Sequence, residues 1–298
     1  MAKRRIDGVL LFDKPPGLSS NQALQKARWL YQAAKAGHTG TLDPFASGLL
    51  PLCFGEATKF SQTLLDADKV YWAELKLGVR TTTADPEGEV IETRPVGFDP
   101  DDLDPVLARF VGEFEQCPPM HSAIKKDGRP LYEYARQGIE VERAARRVRV
   151  DAIERLSWTG DRLVLRIRCG KGLYVRTLAE DIGAALGCGA HLSALRREAV
   201  GPFRIEDALG LDVLGALSEA ERMARLLPVD ALLGRLRPLN VGIEAEWQLL
   251  HGQPIWQPRL QVGEWMRAYG PGGRFIGLVE IDGEGRAAPR RLLASTFG

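Results

Sequence analysis

The chain has 298 residues, 45% of them hydrophobic and 27% charged, with a formal net charge of +1 at pH 7. These proportions are ordinary for a soluble globular protein, and the length allows one large domain plus a small one. No apolar run approaches the ~18 residues of a membrane span, and the N-terminal MAKRRIDGVL lacks the apolar core and small-residue cleavage site of a secretory signal. A cytoplasmic protein is the expectation.

Gly8 to Phe12 (GVLLF) is a short continuous apolar run, read as a buried strand. Pro15-Pro16-Gly17 stops it, and Ser19, Ser20 or Asn21 can cap the helix that follows. Ala23, Leu24, Ala27, Leu30, Tyr31 and Ala34 recur at helical spacing. That helix delivers the chain to Ala36–Pro51, AGHTGTLDPFASGLLP, in which Asp43 is the one carboxylate and His38 the only other ionisable side chain. Its glycines allow close backbone approach and Pro44 locks the chain after Asp43. Asp-Pro is also a common turn for conformational reasons alone.

Tyr71 to Leu77 alternates as a strand with Tyr71, Ala73, Leu75 and Leu77 on one face, and Arg162 to Arg168 alternates with arginines on its polar face. Between them, 118–149 is basic and poorly periodic and reads as a projecting insertion. Leu178, Ile182, Ala185 and Leu186 mark a helix ending at Gly187, and Asp207 to Leu233 reads as a helical connector. From about Arg235, short β-like segments separated by GPGG and DGEG read as a small all-β unit.

The low net charge conceals segregation. Residues 1–40 carry seven Lys/Arg against two Asp/Glu, and 125–176 carry fourteen against seven. Residues 85–115 carry ten acids against Arg94 and Arg109. The basic segments are expected to track a phosphate backbone while the acidic one faces away as a solvated surface. Cys53, Cys117, Cys169 and Cys188 form no CxxC pair, and His38, His121, His191 and His251 lack metal-ligand spacing, so no structural metal is expected.

The Asp43 string resembles the catalytic motif of the pseudouridine synthases that act on the T loop of tRNA (the TruB family), which convert uridine 55 to pseudouridine. The resemblance covers Ile6 to about Val200, and more loosely the C-terminal unit, which resembles a PUA-like RNA-binding domain. It implies an α+β pseudouridine-synthase fold: a mixed or antiparallel sheet with flanking helices and a central RNA cleft over residues 1–234, then the PUA-like domain over 235–298. It implies no cofactor and no metal, since the reaction is an isomerisation, and a tRNA partner with neither guide RNA nor obligate protein partner.

The resemblance makes Asp43 the catalytic carboxylate, acting as nucleophile, base or stabiliser of an electron-poor C1′. Arg176, in KGLYVRTL, pairs with it. Tyr174 lines the same pocket, sharing a face with Arg176 if the segment is extended. Tyr71 stacks on the base and is a candidate for moving the C5 proton. His38 fills the gap left in the RNA when the nucleotide is everted. Lys14 supports the loop or contacts RNA, Leu195 forms the pocket wall under the base, and Arg196 and Arg197 lie near phosphates. Trp72 stands where a polar or basic residue is more usual.

Overall fold

The computed structural model describes residues 3–122, 124–257 and 259–294. Its main feature is a ten-stranded mixed sheet. The order across it is Leu209–Gly210, Gly8–Lys14, Ser47–Phe54, Ala190–Val200, Lys69–Leu77, Arg162–Cys169, Arg146–Thr159 and Gly112–Gln116. Off this order, the short strands Ala36–His38 and Phe203–Arg204 pair with Ser47–Phe54 and Ala190–Val200. Most neighbours run antiparallel, but Ala190–Val200 lies parallel to Ser47–Phe54. That parallel seam joins the N-terminal strands to the rest, and the Asp43 loop opens onto it.

Two helices cover one face. Ser20–Tyr31 starts at Ser19, whose hydroxyl accepts the Gln22 N–H while the Gln22 side chain accepts the Ser19 N–H. This reciprocal cap satisfies two N–H groups that a helix start leaves without partners. Val175–Ala185 stops before Gly187, whose φ of 78° ends the helical course. Ala23, Leu24, Ala27, Leu178 and Ile182 pack onto Phe12, Ala73, Leu75 and Leu192. Each large apolar side chain buried here contributes about 1.5–3 kcal/mol against its exposed state.

A second five-stranded sheet (Arg237–Asn240, Trp265–Tyr269, Phe275–Ile281, Arg286–Leu292 and Ile255–Trp256) forms the C-terminal unit around Leu239, Leu249, Met266 and Val279. It docks through Leu278, which joins the Val9, Leu49 and Phe60 cluster, and through a Phe60–Phe275 ring contact at 5.7 Å. The Tyr269 hydroxyl donates to Asp230 at 2.5 Å, adding a polar tie.

Three expectations need correction. The insertion ends earlier than 149, because Arg146 already pairs with Gln116 and begins a sheet strand. The arginines of RAARRVRV are therefore partly a strand face. The connector after Asp207 is not one helical region but a short strand, the helices Leu211–Ala216 and Glu219–Ala224, and a 3-10 turn at Val229–Leu233. Nor does the acidic segment face away from the basic ones. Strands Gly112–Gln116 and Arg146–Thr159 are neighbours, so Arg147 meets Glu113 at 2.5 Å, while Arg155 reaches Asp104 at 2.8 Å. Opposite charges on adjacent elements found each other.

Candidate active site

The Asp43 loop is tied down by the chain that precedes it. Ser20 Oγ accepts the Leu42 N–H at 2.8 Å and donates to the Leu42 carbonyl at 3.0 Å. The Pro44 carbonyl accepts the Gly17 N–H at 2.8 Å and a long bond from Lys14 Nζ at 3.3 Å. Lys14 also donates to the Pro15 and Leu18 carbonyls at 2.9 and 2.6 Å. It is fully buried, and burial pulls its ammonium down to about 8. Of its two expected roles, the geometry gives it loop support, because its donors point inward and reach no surface.

Arg176 enters from the first turn of the Val175–Ala185 helix. The extended-segment reading of KGLYVRTL is therefore corrected: Tyr174 is the N-cap, and it meets Arg176 by the helix turning inward. Gln116, a buried side chain, fixes that turn by accepting the Tyr174 N–H at 2.9 Å and donating to the Tyr174 carbonyl at 3.2 Å. Arg176 is 4% exposed. Its Nε lies 3.0 Å from Asp43 Oδ2 as an ion pair, and its Nη2 donates to Asp43 Oδ1 at 3.3 Å. The same Nη2 donates to the His121 carbonyl at 2.7 Å, so the insertion touches the centre of the site.

Arg176 has a second carboxylate that the sequence reading missed. Nη1 donates to Asp85 at 3.2 Å and to the Thr83 carbonyl at 3.3 Å. Asp85 is 3% exposed and also accepts the Thr83 hydroxyl and the Glu87 N–H. It lies within the acidic run 85–115, whose charge density predicts a solvated face. The available signal was an echo: TADP around Asp85 repeats the TLDP around Asp43.

Burial pushes the Asp43 carboxyl upward, and Asp85 adds to the push, while Arg176 and Lys14 oppose it. Burial also raises the Tyr71 and Tyr174 phenols. The charges of Arg197 and, less strongly, Asp43 both act on Tyr71. Leu195 is buried in the same core cluster, one strand away, with Ala73 opposite it. His38 is half-buried, with its Nδ1 enclosed and without a hydrogen-bond partner among the described residues, and burial lowers its pKa. Arg196 is held by Asp13 at 2.7 and 3.2 Å, with 40% of its side chain exposed. Arg197 departs from expectation: at 1% exposed it faces the core, not a phosphate. Trp72 lies in register between Arg166 and Arg196 on the neighbouring strands, and nothing there explains its identity.

Asp43, Arg176, Tyr71 and Tyr174 thus come from three separate stretches of chain, with Leu195 on the strand paired to that of Tyr71. Residues 28–175 match the TruB family pseudouridylate synthase N-terminal domain. Residues 176–234 and 243–293 match two C-terminal domains of that family, described as tRNA pseudouridylate synthase B and pseudouridine synthase II TruB. The chain belongs to the TruB family of pseudouridine synthases. A relative from Dechloromonas aromatica, tRNA pseudouridine synthase B, is 57% identical over 98% of this chain and 97% of its own. One of the same name from Burkholderia mallei is 54% identical over 99% of both. Among solved structures, a chain of a Cbf5–Nop10–Gar1 complex matches with TM-score 0.72 and 27% identity over 96% of this chain and 84% of that one. A chain of an H/ACA ribonucleoprotein bound to a substrate RNA containing 2′-deoxyuridine matches with TM-score 0.72 and 25% identity, over 97% and 86%. The TruB-family fold is thus a mixed sheet with flanking helices and a small C-terminal β domain.

Among the described residues no helix is long and apolar enough to cross a membrane, and no cluster of three or more His, Cys, Asp or Glu could hold a metal ion.

Proposed function

We propose that the protein isomerises uridine 55 in the T loop of tRNA to pseudouridine, acting alone on cytoplasmic tRNA without a guide RNA. The observation that carries the reading is the Asp43 carboxylate, gripped along one edge by Arg176 yet with 32% of its side chain exposed. A carboxylate with fixed orientation and open lone pairs can act at a ribose.

The N1–C1′ bond breaks, the freed uracil turns, and a C5–C1′ bond forms; the C5 proton is lost and N1 regains one. Atoms and electrons balance within the nucleotide. Asp43 acts at the sugar, as nucleophile at C1′ or as base on the ribose. Arg176 opposes the burial that would neutralise it. Tyr71 supplies a ring to stack on the base and is the candidate to carry the C5 proton. Leu195 closes the wall beneath. The everted nucleotide costs a few kcal/mol to unstack. His38 fills its place, which requires the half-buried ring to swing outward. Phosphate contacts from the insertion, Arg196 and the C-terminal unit offset that cost and make binding salt-sensitive.

The test is treatment of an unmodified tRNA transcript with the purified chain alone, followed by carbodiimide mapping of pseudouridine. One new stop in the T loop, absent with Asp43→Asn, is expected. Tight tRNA binding with no stop would overturn the catalytic reading in favour of an RNA chaperone or a guide-dependent enzyme.

A further inference from the structure

Among the described residues Arg197 is, apart from Lys14, the most deeply enclosed cation outside the Asp43–Arg176–Asp85 cluster. Two of its nitrogens donate to main-chain carbonyls, and its guanidinium also bonds the Tyr71 side chain. Nε donates to Leu49 at 2.7 Å, and Nη1 makes a long bond to Thr41 at 3.4 Å. Those two carbonyls are the feet of the loop that carries Asp43, one on each side of it. Nη2 is enclosed without a hydrogen-bond partner among the described residues.

The backbone around Arg197 is equally specific. It sits in register with Gly48 on one side and Tyr71 on the other, so a single row crosses from the Asp43 loop to the phenol. Gly48 has φ +105°, and a methyl there would fall 2.4 Å from the Arg197 carbonyl oxygen and 2.6 Å from its nitrogen. Only glycine lets the strands close at this point. The Arg197 charge also reaches Tyr71, His38, Lys14 and Lys69, four groups that surround the site.

We propose that Arg197 is a positioning residue for the isomerisation, clamping both feet of the Asp43 loop to the strand beside Tyr71 so that carboxylate and phenol share one rigid frame. The inference rests on the function proposed above. A guanidinium suits the task because its planar fork can serve two carbonyls at once, which an ammonium at the end of a lysine stem does less well. A surface phosphate contact is a different role, and the enclosure of the side chain argues against it.

The experiment measures single-turnover pseudouridine formation and tRNA dissociation constants for wild type, Arg197→Met and Arg197→Lys, with a thermal melt of each. Methionine keeps much of the stem but removes both donors. It is expected to slow the chemical step about 100-fold, the loss a misplacement of roughly 1 Å produces, while tRNA affinity stays within about threefold by the same argument. Lysine is expected to recover part of the rate, and that graded rescue would not follow from a hole in the core. A folded Met variant reacting within twofold of wild type overturns the proposal. A loss carried by the dissociation constant, with unchanged chemistry, overturns it in favour of an RNA contact. If the Met variant does not melt cooperatively, the Lys variant decides: a wild-type single-turnover rate overturns the clamp, and a slowed one at unchanged affinity supports it. Wild type that forms no pseudouridine would instead defeat the function proposed above.

Discussion

Asp43 and Asp85 invite comparison because they share so much. Each precedes a proline, each follows a threonine-containing turn, and each pairs with the same guanidinium. They differ in what else they touch. Asp85 is enclosed and saturated, accepting from Arg176, the Thr83 hydroxyl and the Glu87 N–H. Asp43 has Arg176 on one edge and an opening on the other. Pairing with arginine therefore does not mark the reactive carboxylate. Its unused lone pairs do, and the saturated partner acts as the counter-ion that fixes Arg176.

The largest effect should come from Asp43→Asn, which keeps the shape and one acceptor but removes the charge. Single-turnover rate on unmodified tRNA is expected to fall by at least about 10⁴-fold, on the scale seen when a reacting group is deleted, with tRNA binding retained in a filter assay. Arg176→Ala comes next, at about 10²–10³-fold, the range for removing one electrostatic stabiliser from a dry site. Asp85→Asn should be milder in rate, about 10-fold, because Arg176 keeps Asp43 but loses its anchor. It should nonetheless cost stability, towards the lower end of the ~3–5 kcal/mol for breaking a buried pair, read as a lower melting temperature. Equal rate losses for the two aspartates would erase the distinction between them.

That distinction was only half visible in the sequence. Asp43 stands alone in an uncharged run, and local patterns around it held: the Gly8 strand, the Ser19-capped helix and the alternation from Tyr71 to Leu77 all appear. Asp85 was hidden by its nine acidic neighbours in 85–115, because charge density says nothing about which member turns inward. Its burial is decided by Arg176, ninety-one positions away. The same long-range dependence misread KGLYVRTL as extended, since the Gln116 clamp that starts the helix comes from another strand. The resemblance groups Arg196 and Arg197 as phosphate contacts, yet only Arg196 reaches the surface, because strand alternation sends the two in opposite directions.

The finest test of the comparison is pH. Reaction requires the Asp43 carboxylate, and burial followed by the Asp85 charge raises its pKa, so the acid limb of the single-turnover profile should lie above the ~3.9 of a free aspartate. Asp85→Asn removes one of the charges that raise it and leaves Arg176 wholly to Asp43. The limb should therefore move to lower pH even though the plateau rate falls, a crossing of effects that general loosening of the site would not produce. Glu87 also titrates upward here, through burial and the charges of Asp85 and Asp43, so Glu87→Gln is the control that assigns the limb. Because the Asp85 charge raises Glu87 as well, a limb that moves in Glu87→Gln would mean that the profile reports Glu87. A downward shift confined to Asp85→Asn would show that the saturated carboxylate sets the ionisation of the open one.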